Sequence, residues 1–482
     1  MTIAQTPHAR DATVIVVGGG FSGSLFALKL SRAWPKARIM LVERANRAGR
    51  GLAYGACTPD HLLNVPVSRM EVGLDSFENW LATHHRAQLT DALTESGQDL
   101  ASAFVQRELF GHYIEQHVAH TCALKTGLCR LRGEVVRLLD YPARGVLLAD
   151  GRELEADLIV LATGNLPPRF PAGVPSTLLD SDLFVADPWA HDAFEGLDEN
   201  APVLVLGTGL TMVDVVLKLA RHGHRGQVLA VSRRGLLPRT HRAGGAWHAF
   251  LEQVHSSPSA LLKRIRAEVD AAERSGVPWQ RVIDAVRPQI ARIWQSWSSA
   301  ERKTFLRHLQ SRWDVFRHRM APRVAAQAES LTQAGRLRFV AGRVQDYQES
   351  GGRVELRILE RTTRKEIIFS AARVVNCTGP RSDYGRIAIP LFADLIRRGV
   401  VTPDVLGLGI ETYNCAVVSA SGRASTWLYA LGPLTRPAYW EITAVPEINA
   451  QVDRLVQDLS AAGQHVVAPP LAEVFAGLGE GI

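Results

Sequence analysis

Cysteine is sparse in this chain of 482 residues: there are five, at positions 57, 122, 129, 377 and 415, and none forms a C-x-x-C pair. That excludes the dithiol of a disulfide reductase and leaves no metal-ligand spacing, so no metal site is expected. Lysine is scarce as well, and the net charge of +7 rests almost wholly on arginine. No apolar run approaches the roughly 20 residues of a membrane span. The first one, Thr13 to Val17, is too short for a secretory signal. A cytoplasmic protein without membrane contact is therefore expected. No basic stripe interleaved with aromatics marks a nucleic-acid surface. No Ser/His/Asp or Cys/His triad is legible, and no catalytic residue is assigned. Oligomeric state has no signature here.

Against these absences stand two glycine-rich turns. Gly18-Gly19-Gly20-Phe21-Ser22-Gly23 follows the apolar run Val14–Val17 and opens a helical pattern, with Leu41-Val42-Glu43 some twenty residues on. Gly207-Thr208-Gly209-Leu210-Thr211-Met212 follows Val203–Leu206 and precedes Ser232-Arg233-Arg234. Each reads as strand, tight turn and helix, which places a pyrophosphate on a helix N-terminus. Gly18 supplies the turn, Gly20 leaves the pyrophosphate room, and Gly23 lets helix and strand approach. Gly207 and Gly209 repeat the first two roles, while Met212 replaces the third glycine.

The residues ending the next strand differ, and so do the nucleotides they suit. Glu43 fits a bare ribose diol, as in FAD. Arg233 and Arg234 fit the 2′-phosphate of NADPH, because guanidinium forks match phosphate oxygens in pairs; NADH remains possible. Ser22, Asn64, Val135, Thr163, Gly164 and Gly379 complete the candidate cofactor contacts. One nucleotide of each kind in one chain points to a flavoprotein reduced by NADPH.

The predicted fold class is α/β, with two Rossmann-like dinucleotide-binding domains for FAD and NADPH, one inserted in the other, and a helical insertion. The first part of the FAD domain covers 12–198. The NADPH domain covers 199–370 and carries the helical insertion at about 246–335. The second part of the FAD domain, with a C-terminal helix, covers 371–482. Ala162-Thr163-Gly164 is echoed by Cys377-Thr378-Gly379, a doubling that suggests the insertion. His61, Asn64 and Pro66 sit in a loop that could reach a flavin ring. Asp214 could cap its helix or pair with an arginine. Arg317-His318-Arg319 reads as a solvated helix face, with an anion site as the alternative.

With these residues in hand, the chain resembles bacterial FAD/NAD(P)-binding monooxygenase-like proteins. The resemblance lies in Gly49-Arg50-Gly51-Leu52-Ala53-Tyr54-Gly55, His61-Leu62-Leu63-Asn64-Val65-Pro66, Met70, Ser232 to Arg239, Arg317-His318-Arg319 and Trp440 to Glu447. That group includes an FAD-dependent urate hydroxylase, and the broader class contains N-hydroxylases of amines and amino acids. The resemblance implies hydroxylation of a small molecule with NAD(P)H and O2 through a C4a-hydroperoxyflavin. Urate, giving 5-hydroxyisourate, is the first expectation. N-hydroxylation of an amine or amino acid, and a flavin-dependent dehydrogenase without oxygen insertion, are the alternatives.

Overall fold

The computed structural model describes residues 12–464, apart from 126, 141–142 and 252–256. Two seven-stranded sheets organise the chain. In the first, Ala424–Ala430, Leu158–Leu161, Thr13–Val17, Arg38–Glu43 and Leu128–Arg132 run parallel in that order, and Ala416–Val418 and Thr412–Tyr413 add an antiparallel edge. Its strand Thr13–Val17 is apolar from Val14 on because both faces are covered. Val14 and Val16 face the helices Phe21–Ala33 and Val445–Gln464. Ile15 and Val17 face a three-stranded meander, Val135–Leu139, Gly145–Leu148 and Glu153–Glu155, and the helix Pro390–Arg397. The predicted C-terminal helix is Val445–Gln464, and the residues after it lie outside those described.

In the second sheet, Phe184–Val185, Arg373–Asn376, Val203–Leu206, Val228–Ser232 and Leu337–Ser350 run parallel. Arg353–Glu360 and Glu366–Ala371 extend it antiparallel, forming a three-stranded meander with Leu337–Ser350. Two of the parallel strands fall outside 199–370. Arg373–Asn376 pairs directly with Val203–Leu206, and Phe184–Val185 pairs with Arg373–Asn376.

The expected helical region holds Pro258–Arg274, Trp279–Val286, Ile290–Ser296, Ser299–His308 and Gln310–Arg317. The next helix, Pro322–Gln333, packs on Leu210–Arg221 and feeds Leu337–Ser350. It is the crossover of the second Rossmann unit and not part of the insertion, which ends near Met320. Among the described residues no helix is long and apolar enough to cross a membrane.

Candidate functional site

The two glycine turns are built alike, atom for atom. Gly18 has φ +104, donates its N–H to Val42 O at 2.9 Å, and comes so close to the Ala162 carbonyl that a Cβ would stand 2.5 Å from its oxygen. Gly207 has φ +115, donates to Val231 O at 2.8 Å, and a Cβ there would stand 2.4 Å from Cys377 O. Each turn is thus seated on the T-G strand of its own sheet: Thr163-Gly164 under the first, Thr378-Gly379 under the second. Any side chain at either glycine would collide with backbone, which cannot yield cheaply.

Above the turns the space is open. Gly20 and Gly209 are the N-caps of the helices Phe21–Ala33 and Leu210–Arg221, and neither end has a side-chain cap. A Cβ on Gly209 would meet nothing within 4 Å, and one on Gly20 only the Gly51 Cα at 3.6 Å. Uncapped first-turn N–H groups beside bare glycines make a fitting seat for a pyrophosphate. Gly23 is required for a different reason: a Cβ there would lie 2.0 Å from Gly18 O. At the matching position Met212 is 1% exposed and packs into the core of the second unit with Val213 and Ala321.

The two strand ends keep their contrast. Glu43 accepts the Gly19 N–H on Oε2 at 2.7 Å and the Ala45 N–H on Oε1 at 2.8 Å, which fixes its carboxylate against the first turn. Arg233 is exposed and forms no ion pair among the described residues. Arg234 is not its equal, since one of its N–H groups donates to Arg307 O at 3.0 Å and so ties the strand to the helical insertion. Ser232 Oγ lies 2.8 Å from Thr208 Oγ1 and accepts the Gly235 N–H at 3.0 Å, which shapes the turn behind the arginines.

The other expected contacts separate. Ser22 is buried against Gly432, whose N–H donates to Gln451 Oε1 at 2.8 Å. The Val135 side chain is buried in the core under the meander. Asn64 uses its carbonyl to accept His241 Nε2–H at 2.7 Å. Burial, and then Arg319 nearby, push the His241 pKa down to about 4.

His61 is not free to meet a flavin. Its Nδ1 accepts the Thr58 N–H at 3.1 Å and its Nε2 donates to Asp214 O at 3.0 Å. Burial lowers its pKa, so it stays neutral. Asp214, in turn, holds Arg107 through two oxygens at 3.0 and 3.3 Å. Arg107 belongs to the first unit and Asp214 to the second. This cluster, with Asp60–Arg221 at 3.0 Å and Asp91–Arg323 at 2.8 Å, clasps the two nucleotide units together. It had no sequence signal beyond the residue types.

Arg317 and Arg319, read as a solvated face or an anion site, are neither. They are 6% and 3% exposed. Arg319 pairs with Asp284 at 2.5 Å, and Arg317 with Glu441 at 3.1 Å and Glu447 at 3.4 Å. Glu447 also takes Arg287. The arginines anchor the helical insertion to the segment from Trp440 to Glu447. Beside this anchor, burial and the nearby Glu441 push the Asp314 pKa up to about 7. Within the insertion lies a cavity of about 760 Å³.

Residues 15–166 match the protein-family model described as FAD-NAD(P)-binding. No curated protein matches the chain. Among solved structures, the reduced form of ornithine hydroxylase from Pseudomonas aeruginosa aligns over 95% of this chain and 100% of its own, with 15% identity and a TM-score of 0.63. An ornithine N-hydroxylase from Kutzneria sp. 744, described with reduced FAD, NADP+ and L-ornithine, aligns over 93% and 99%, with 18% identity and a TM-score of 0.62. The FAD-bound cadaverine monooxygenase of Erwinia amylovora aligns over 98% of both chains, with 15% identity and a TM-score of 0.62. At such identities the likeness is one of fold: this chain has the α/β architecture of these flavin monooxygenases, with two Rossmann-like units and helices between them.

Proposed function

We propose that the chain is an FAD-dependent monooxygenase that takes electrons from NAD(P)H and hydroxylates a small molecule, with nitrogen of an amine as the favoured target. The observation that carries this is the pair of glycine turns, each seated on its own T-G strand and each with an open, uncapped helix end, one beside Glu43 and the other beside Arg233. Bound FAD supplies hydride acceptance and activation of O2. The chain's residues do the rest. The Phe21 helix end holds the flavin pyrophosphate, and Glu43, oriented by Gly19 and Ala45, accepts from the ribose hydroxyls. Gly209 and the Leu210 helix end hold the second pyrophosphate, and Arg233 takes the 2′-phosphate. The His61–Asp214–Arg107 cluster keeps the two units in register, so that hydride donor and acceptor meet in a site shielded from water.

The comparisons give the urate expectation no support and favour its amine alternative. The similar structures named above act, by their descriptions, on ornithine and cadaverine, and none of them on urate. Anaerobic mixing with NADPH, followed by O2, tests the reading across a panel of amines with urate as a control. One NADPH and one O2 consumed per hydroxylated amine is the expected result. Full-rate substrate turnover without O2 would sink it in favour of a dehydrogenase.

A further inference from the structure

We propose that the cavity in the helical insertion is a chamber for the apolar body of the substrate, an aryl or alkyl group. This deepens the monooxygenase reading and rests on it for the fate of the occupant. The helix Pro258–Arg274 carries the argument first. Leu261, Ile265 and Val269 stand four residues apart on one face, line the cavity and are only half-buried. An amphipathic helix ordinarily presses such a stripe into a core; this one presses it against open space. The charged residues of the lining, Arg239, Arg266, Asp270, Glu273 and Arg312, are all exposed and form its rim. At about 760 Å³ the hollow lies in the range of small-molecule sites. It would hold on the order of 25 waters at about 30 Å³ each, with few polar partners for them.

Trp440 is the second observation. It lines the chamber, is 3% exposed, and stacks on Trp294 at 4.7 Å. Its Nε1–H has no acceptor among the described residues. Its backbone has φ +52, a strained conformation for a bulky residue and one found at ligand clamps.

The chamber adjoins the second nucleotide unit. Gly235, Leu236 and Leu237, directly after the Arg233-Arg234 pair, form one wall. Trp440, on another, is eight residues past Gly432, which packs on Ser22 of the first glycine turn. A zwitterionic amino acid or urate finds no matching partner on its inner walls.

The test uses the FAD-loaded full chain and N-phenyl-1-naphthylamine, a neutral arylamine that brightens in apolar surroundings. Saturable brightening is expected, reversed by decylamine and not by ornithine or urate at hundred-fold higher concentration. Ile265→Trp, which fills the chamber, and Val269→Glu, which charges it, should each weaken probe binding at least tenfold, with retained FAD showing that the variants fold. If neither variant folds, the wild-type competition decides alone. Absence of brightening, displacement by ornithine, or binding indifferent to both substitutions would overturn the proposal. So would brightening that arises only after the chain is cut behind Gln464, since the chain itself would then be the occupant. Oxygen uptake is followed in parallel. Probe binding without any NADPH oxidation overturns the monooxygenase reading and keeps the chamber, whereas ornithine-dependent uptake without probe binding does the reverse.

Discussion

The guanidinium Nε of Arg317 lies 3.1 Å from an Oε of Glu441, and both side chains are 5% exposed. This pair fastens the helical insertion to the segment that carries Trp440. Removing one partner leaves a buried charge unanswered, which costs more than the pair contributes. Arg317→Ala should therefore lower the unfolding free energy by about 3–5 kcal/mol in denaturant titration. Arg317→Met with Glu441→Leu should recover most of it, because no orphan charge remains. A single-variant loss below about 1 kcal/mol, the scale of an exposed pair, would contradict the buried anchor.

Arg233 and Arg234 should separate in kinetics. Arg233→Ala removes the unengaged guanidinium and should raise KM for NADPH by roughly 10- to 100-fold, the equivalent of about 1.5–3 kcal/mol for a charge-assisted contact. KM for NADH should stay put. Arg234→Ala should do less, because that side chain already serves the Arg307 carbonyl. An unchanged NADPH-to-NADH preference in Arg233→Ala would refute the 2′-phosphate role.

Glu43→Ala should strip flavin. The carboxylate both restrains the turn through Gly19 and Ala45 and is the acceptor offered to a ribose. Its loss should weaken FAD at least about tenfold, read as flavin content after gel filtration. Glu43→Gln keeps one acceptor oxygen and should fall between. Wild-type flavin content in the alanine variant would dismiss the contact.

How much of this was legible in the sequence follows from distance along the chain. The glycine turns, Glu43 and Arg233 lie within one strand–turn–helix–strand unit, and local spacing sufficed to find them. The pairs Arg107–Asp214 and Arg317–Glu441 join residues more than a hundred positions apart, which periodicity and composition do not relate. A charge run then reads as solvated by default, and Arg317 and Arg319 were misjudged for that reason. The strand Arg373–Asn376 lies beyond 199–370 in the chain, and only its pairing with Val203–Leu206 joins it to the second sheet. The chamber is assembled from residues between 235 and 440 and has no local signature at all.

The contact from His241 to the Asn64 carbonyl makes the junction of the two units acid-sensitive. Its folded pKa, about 4, lies below the ordinary value of 6.5. Between those limits the unfolded chain binds a proton that the folded one refuses, so stability rises with pH across the window and is lost as pH falls below 6.5. At pH 4.5 the loss attributable to this residue should be about 2–3 kcal/mol relative to pH 7. His241→Asn should flatten the pH dependence of unfolding by that amount. Equal slopes for variant and wild type would contradict it.

The doubled layout also orders events in time. The inserted unit has all its strands once Arg373–Asn376 has been made. The outer sheet, begun at Thr13, waits for Ala424–Ala430 to pair with Leu158–Leu161. The helix Val445–Gln464, whose Asp453 takes Lys29 at 2.5 Å, comes later still. Domains fold as units while the chain is being synthesised. The unit that starts first is therefore the last to close, and until it does the uncovered helix Phe21–Ala33 and the unpaired side of Leu158–Leu161 are the surfaces a nascent chain must keep from sticking.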